Sequence, residues 1–85
     1  MIWRIVVDGA VHKKLLRIPH QDAERLRIAI NQIEFDPFGG DALKMGGQEN
    51  TWRRRVGSYR LFYDIFVLEK TILVFKLRRR GSNTY

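Results

Sequence analysis

The first apolar run of the chain predicts a short strand that is followed by a helix. Residues 2–7 are mainly apolar and β-branched, and Asp8 and Gly9 follow them, so we expect a strand that ends before Asp8. Asp8 is a favourable N-cap residue for a helix that starts at Gly9 or Ala10 and ends at Arg17. The apolar positions of this helix recur at intervals of four and three residues: Val11, Leu15 and Ile18.

A second apolar stripe predicts a longer helix from about His20 to Phe35. Pro19 ends the preceding helix and suits the first turn of this one. The stripe recurs at intervals of three or four residues: Ala23, Leu26, Ile30 and Ile33. Residues 36–41 contain a proline and two glycines and end the helix, and the glycine-rich residues 43–50 predict a continuing loop.

The second half of the chain predicts three strands. They are Thr51–Val56, Tyr59–Leu68 and Thr71–Arg78, and the connections Gly57-Ser58 and Glu69-Lys70 are short enough for hairpins. The element order is therefore β-α-α-β-β-β. This order predicts an α+β fold in which a helical hairpin packs on one face of a small, mainly antiparallel sheet, while the other face stays open.

Strand alternation predicts a cluster of arginines on the open face. Arg53 and Arg55 point away from the side that carries Trp52 and Val56, and we expect Arg60 of the next strand to lie beside them. Guanidinium groups on one face repel each other, so the cluster is a candidate anion-binding site, with Asp64 as its nearest possible counterion. The alternative is that Arg53 and Arg55 are simply the solvated side of a half-buried strand.

Positive charge is concentrated late in the chain, which strengthens the binding interpretation. The sequence has 16 Lys and Arg against 9 Asp and Glu, a formal net charge of +7. Nine of the cations follow Thr51, where Asp64 and Glu69 are the only acidic residues. A segment of one sign attracts nucleic acid, an anionic membrane or an acidic protein.

The composition and the N-terminal residues limit the cellular compartment and the kinds of metal or catalytic site that we expect. The chain has no cysteine, which removes disulfides and thiolate metal sites, and its N-terminal apolar run is broken by Arg4 and too short for an export signal or a membrane span. We therefore expect a cytoplasmic protein in which residues 1–85 form one domain. His12 and His20 lack spaced ligand partners, so no metal site is expected, and no conventional acid–base or nucleophile signature is recognised.

Residues 52–65, WRRRVGSYRLFYDI, resemble the RelE/ParE superfamily of bacterial and archaeal toxins. The segment is similar to the family's strand of alternating basic residues, which is followed by a Gly-x-Tyr-Arg turn and an apolar strand. Leu43-Lys44 and the arginine-rich tail that ends in Tyr85 also fit the family, and the resemblance covers nearly the whole chain.

The resemblance to RelE-like members implies a toxin of a type II toxin–antitoxin system that cleaves mRNA on the ribosome without a metal or other cofactor. In that reaction a ribose 2′-oxygen attacks the adjacent phosphate and leaves a cyclic phosphate. Carried over by position, the catalytic residues are Arg53, Arg55, Arg60, Arg79 and the base-stacking Tyr85. Further RNA contacts are expected from Lys44, Arg78, Arg80 and Ser82, and Arg78 or Arg80 replaces Arg79 if the register of the tail differs.

The resemblance leaves alternatives open. RelE has lysines where this chain has Arg53 and Arg55, and an arginine, which stays protonated at neutral pH, is a poor general base. Arg54 also occupies a position that is usually apolar in the family. A ParE-like inhibitor of DNA gyrase and a non-catalytic RNA-binding module are the competing functions, and both toxin hypotheses imply a cognate antitoxin as partner, without a membrane.

Overall fold

Two helices and five strands make up the part of the chain that the structure, a computed structural model, describes: residues 3–47 and 50–79. In chain order they are β1 Arg4–Val7, α1 Gly9–Arg17, α2 His20–Phe35, β2 Ala42–Lys44, β3 Thr51–Val56, β4 Tyr59–Phe66 and β5 Thr71–Arg79.

The strands form one mostly antiparallel sheet with the order β1-β5-β4-β3-β2. β3, β4 and β5 are an antiparallel meander, β2 pairs antiparallel with β3 at one edge, and β1 pairs parallel with β5 at the other. Both helices pack on the same side of the sheet, which confirms the predicted α+β fold with an open second face. The open face is the surface on which the candidate site lies.

Local sequence signals place both helices where they were predicted. The Asp8 carboxylate accepts a hydrogen bond from the backbone N–H of Ala10 at 3.1 Å, which satisfies one of the donors that the first helical turn leaves without a partner. α1 ends at Arg17, two residues before Pro19, and α2 begins directly after this proline. α2 ends at Phe35 because Asp36 precedes Pro37 and its backbone is no longer helical.

One hydrophobic core joins the helices to the sheet. The apolar stripe of each helix is buried against alternate residues of β4 and β5, as the sequence periodicity predicts. The core consists of Val11, Leu15, Ala23, Leu26, Ala29, Ile30, Ile33, Tyr59, Leu61, Tyr63, Ile65, Ile72, Val74 and Leu77. Because this row of β4 faces the helices, Arg60 and Phe62 between its members face the open side.

The structure corrects the prediction that residues 43–50 continue as loop. Ala42–Lys44 is a short edge strand, β2, which pairs with β3, and Met45 N–H donates to the carbonyl of Thr51 at 2.9 Å. Pairing with β3 supplies the order that the glycine-rich sequence did not suggest. The predicted strand Tyr59–Leu68 corresponds to β4, and its predicted end is wrong. A turn over residues 67–70, with Lys70 at a positive φ, ends β4 at Phe66.

Candidate nucleic-acid interface

Three arginines form a row across three neighbouring strands on the open face. Arg55 of β3 lies directly opposite Arg60 of β4, and Arg60 lies opposite Arg78 of β5. Neighbouring strands are about 4.8 Å apart, so the row places three guanidinium-bearing side chains within a span of roughly 10 Å of backbone. Like charges at directly opposed positions destabilise a sheet. The arrangement therefore favours an anionic ligand.

A second row, one pleat away, adds two more cations. Arg53 lies between Leu43 of β2 and Phe62 of β4, and Phe62 lies opposite Lys76 of β5. The ammonium of Lys76 sits 5.4 Å from the centroid of the Phe62 ring, a cation–π contact that fixes it over the sheet. The sequence analysis missed Lys76, although its position two residues before Arg78 is the signal that would have found it.

Three of the four arginines on this face have no carboxylate partner among the described residues. Arg53, Arg55 and Arg78 form no ion pair with any of the described Asp or Glu residues. Asp64, the expected counterion, lies four residues from Arg60 along β4 and instead accepts a hydrogen bond from the Thr51 hydroxyl. The open face is therefore a surface of net positive charge.

Arg53, Arg55, Arg60 and Arg78 form the arginine surface of the open face, together with Lys76. On the side nearest β2 this surface borders a hollow of about 300 Å³. Arg53 and Arg55 form one wall, and residues 40–43, which lead into β2, form the other. Asp41 is the one carboxylate among the residues that line it. The position of the loop before β2 thus determines the shape of this edge of the surface.

Arg54 lies on the opposite, helix-covered side of β3, where it contacts the loop before β2 and the helix α2. One of its terminal nitrogens donates to Gln32 Oε1 at 2.8 Å, and the other makes a long contact of 3.5 Å with the carbonyl oxygen of Gly39. The Tyr63 hydroxyl, also on the helix-covered side, donates to the carbonyl of Pro37 at 3.0 Å. Two side chains of the sheet therefore hold residues 37–39 in place.

The environment of Tyr63 keeps its hydroxyl protonated. Burial raises the pKa of Tyr63 to about 12, and the positive charge of Arg54 opposes this rise only in part. Burial and the hydrogen bond from the Tyr59 hydroxyl to Asp22 raise the pKa of Tyr59 as well. Both phenols therefore act as hydrogen-bond donors to the loop and helix segments that they contact.

The structure separates two of the expected site residues from the arginine surface. Arg79 is the register partner of Tyr59, and Lys44 is the register partner of Trp52, so both lie on the helix-covered side. Arg78, one of the two replacements that the resemblance allowed for Arg79, stands beside Arg60. The remaining expected residues, Arg80, Ser82 and Tyr85, lie outside the described residues.

The described residues contain no group of three or more His, Asp or Glu side chains placed to hold a metal ion. Neither of the helices within residues 3–47 and 50–79 is long and apolar enough to cross a membrane.

The family of the chain follows from a comparison with known families. A family model described as "ParE toxin of type II toxin-antitoxin system, parDE" matches residues 5–84. The chain belongs to the ParE toxin family. No curated protein matches it significantly.

Solved structures show the same fold as this toxin. The RelE–RelB complex of Pyrococcus horikoshii is 28% identical, with a TM-score of 0.85 over 96% of this chain and 99% of that one. The antitoxin–toxin complex RelB–RelE of Methanococcus jannaschii is 21% identical, with a TM-score of 0.74 and coverage of 94% and 98%. The YoeB/ParE toxin of Agrobacterium tumefaciens is 18% identical, with a TM-score of 0.75 and coverage of 91% and 98%. The last two show the shared fold alone.

Proposed function

We propose that this toxin is a ribosome-dependent endoribonuclease that cleaves mRNA. The observation that supports the proposal is the row Arg55, Arg60 and Arg78 with Arg53 beside it on the open face. Forked guanidinium donors match phosphate oxygens, and several of them converge here, of which Arg53, Arg55 and Arg78 form no ion pair with a described carboxylate. A scissile phosphate held in the row would be contacted from more than one strand.

The proposed reaction transfers a phosphodiester within the substrate. The ribose 2′-oxygen attacks phosphorus and forms the new P–O bond, the bond from phosphorus to the 5′-oxygen of the next nucleotide breaks, and a 2′,3′-cyclic phosphate remains. Water accepts the 2′-hydroxyl proton, and a proton from water completes the 5′-hydroxyl. The arginines contribute by aligning the attacking oxygen and by stabilising the charge that develops on the phosphorane.

Arginine in place of a titrating base limits the rate that we expect. At neutral pH a guanidinium is already protonated and does not accept the 2′-hydroxyl proton to a useful extent. A positioned general base contributes about 10²- to 10⁴-fold in rate. We therefore expect cleavage that is slow relative to a lysine-based enzyme and that rises with pH as the 2′-hydroxyl ionises.

Cleavage mapping on translating ribosomes tests this function. The toxin is added to an in vitro translation reaction and new mRNA ends are mapped, with Arg60→Gln and Arg27→Gln as matched variants. Arg27 lies on α2, exposed and away from the open face, and loses the same charge. Removing one donor to the developing charge should lower cleavage about 10²- to 10³-fold for Arg60→Gln, whereas Arg27→Gln should cut like the wild type.

Two results would contradict the nuclease proposal. The first is an absence of new mRNA ends at a dose that stops growth, and the second is equal cutting by Arg60→Gln and the wild type. The family model favours inhibition of DNA gyrase as the second candidate, because its description is that of a ParE toxin. A supercoiling assay with purified gyrase distinguishes the two, since only the second candidate predicts a loss of supercoiling.

A cognate antitoxin completes the proposal. The solved structures from Pyrococcus horikoshii and Methanococcus jannaschii are complexes of a toxin with its antitoxin. We expect the partner of this chain to carry an acidic surface, because the residues after Thr51 hold nine Lys and Arg against two Asp and Glu. Its binding should be competitive with RNA and should weaken with salt.

A further inference from the structure

A second basic surface lies on the helix-covered side of the sheet, where β5 ends. A groove of about 390 Å³ runs between the C-terminal end of α1 and the strands β4 and β5. Three cations stand around an apolar and aromatic floor: Lys14, Arg17 and Arg79 around Ile18, Tyr59 and Leu77. No described Asp or Glu lines it.

Two hydrogen bonds fix the walls of the groove. Lys14 Nζ donates to the backbone carbonyl of Leu77 at 2.8 Å, which holds the ammonium at the groove while its two other protons remain for a ligand. The Tyr59 hydroxyl donates to Asp22 at 3.0 Å, and this carboxylate lines a neighbouring hollow and not the groove itself. The groove is thus preformed and positively charged, as an anion site requires.

The groove and the arginine row meet at the same end of the sheet. Arg78 and Arg79 are consecutive residues of β5, about 3.3 Å apart along the strand, and their register partners Arg60 and Tyr59 show that they point to opposite faces. The row and the groove therefore lie on opposite faces of the sheet and are joined by two consecutive residues of β5. A volume of about 390 Å³ falls in the range of nucleotide-sized sites.

We propose that this groove is a phosphate-binding subsite for the same RNA strand, distant from the bond that is cut. It rests on the proposed function in that the strand is RNA, and it assigns Lys14 and Arg17 to holding a backbone phosphate. The subsite binds and does not react. It extends the RNA contact from one face of the sheet to both.

Salt titration of RNA binding tests the subsite. The probe is a single-stranded RNA of about twelve nucleotides with 2′-O-methyl groups, which cannot be cut by 2′-oxygen attack, and affinity is measured against salt concentration by fluorescence anisotropy. Each phosphate contact on a single strand contributes about 0.7 to the slope of log affinity against log salt. Arg17→Gln should lower the steepness by this amount, and Arg17→Lys should restore it.

Lys13→Gln is the matched control, because Lys13 is an exposed cation of the same helix that does not line the groove. It should leave the slope at the wild-type value. A wild-type slope for Arg17→Gln, or an equal decrease for Lys13→Gln, would overturn the subsite. So would a result in which Arg17→Gln weakens binding of the cognate antitoxin but not of RNA.

The outcome is separable from that of the nuclease proposal. A toxin that does not cut mRNA but shows the slope change keeps the subsite and loses the nuclease. A toxin that cuts mRNA and binds RNA with the same slope in Arg17→Gln keeps the nuclease and loses the subsite.

Discussion

Replacing Gly40 by alanine should test how tightly Arg54 holds the loop before β2. Gly40 has a φ of +66°, in the left-handed region that side chains disfavour. A Cβ atom at this position would lie 2.8 Å from a terminal nitrogen of Arg54. The guanidinium would have to move, and the move would break its hydrogen bond to Gln32.

Two terms make up the expected cost. The left-handed conformation costs an alanine about 1–2 kcal/mol relative to glycine. A hydrogen bond to a charged group contributes about 1.5–3 kcal/mol, and we take about 1–1.5 kcal/mol here because the bond to Gln32 is exposed and the contact with Gly39 is long. Gly40→Ala should therefore lower the free energy of unfolding by about 2–3.5 kcal/mol.

Gly57→Ala measures the cost of the left-handed backbone conformation alone. Gly57 has a φ of +58°, and the nearest atom to its added Cβ would be 3.7 Å away, so only the backbone term applies, about 1–2 kcal/mol. Both variants are measured by urea denaturation, alone and in an Arg54→Met background. In that background Gly40→Ala should cost no more than Gly57→Ala. If the two glycine variants differ by less than about 0.5 kcal/mol when Arg54 is present, the proposed anchoring by Arg54 is refuted.

Three further predictions concern the face assignments, a buried phenol and the core. In the cleavage assay Arg78→Gln should lower kcat at least about tenfold, while Arg79→Gln should mainly raise KM. The reverse pattern would show that Arg79, and not Arg78, contacts the reacting phosphate. Because the pKa of Tyr63 is raised from 10 to about 12 in the fold, its stabilising contribution is complete below pH 10 and is lost as pH rises towards 12, by about 2–3 kcal/mol. Urea denaturation on both sides of pH 10 should show a loss that is larger in the wild type than in Tyr63→Phe by this amount, because the variant keeps the raised pKa of Tyr59. Leu26→Ala should destabilise the fold by about 2–5 kcal/mol in the same assay at neutral pH, since Leu26 is fully buried.

Local signals explain which elements the sequence could predict. Both ends of α1 and the start of α2 follow from Asp8 and Pro19, residues whose chemistry acts within a few positions of the boundary. β2 has no such signal, because its order comes from pairing with β3 and from the anchoring of residues 37–39 by distant side chains. Its three residues could be recognised only with their partner strand in place.

The arginine surface was predictable on β3 and β4 but not on β5. Side chains alternate regularly from Arg53 to Arg60 across the tight turn at Gly57-Ser58. Arg53, Arg55 and Arg60 therefore lie on the same face, as expected. On β5 the register shifts opposite Phe62 and Tyr63, and one extra residue stands between Val74 and Lys76. Such a bulge reverses the side to which every later residue points. Counting by twos from the buried Val74 would therefore have put Arg79, and not Arg78, on the open face.

The three consecutive arginines of β3, Arg53 to Arg55, point to different faces of the sheet and have different roles. The outer two arginines lie on the open face and border the hollow beside β2, whereas Arg54 reaches back to the loop that forms the other wall of that hollow. An apolar residue at the central position could pack against the helices but could not hold this loop through hydrogen bonds. The departure from the family pattern at Arg54 is therefore understandable as a structural support for the loop at the edge of the open face, and the charge of Arg54 does not add to the positive charge of that face.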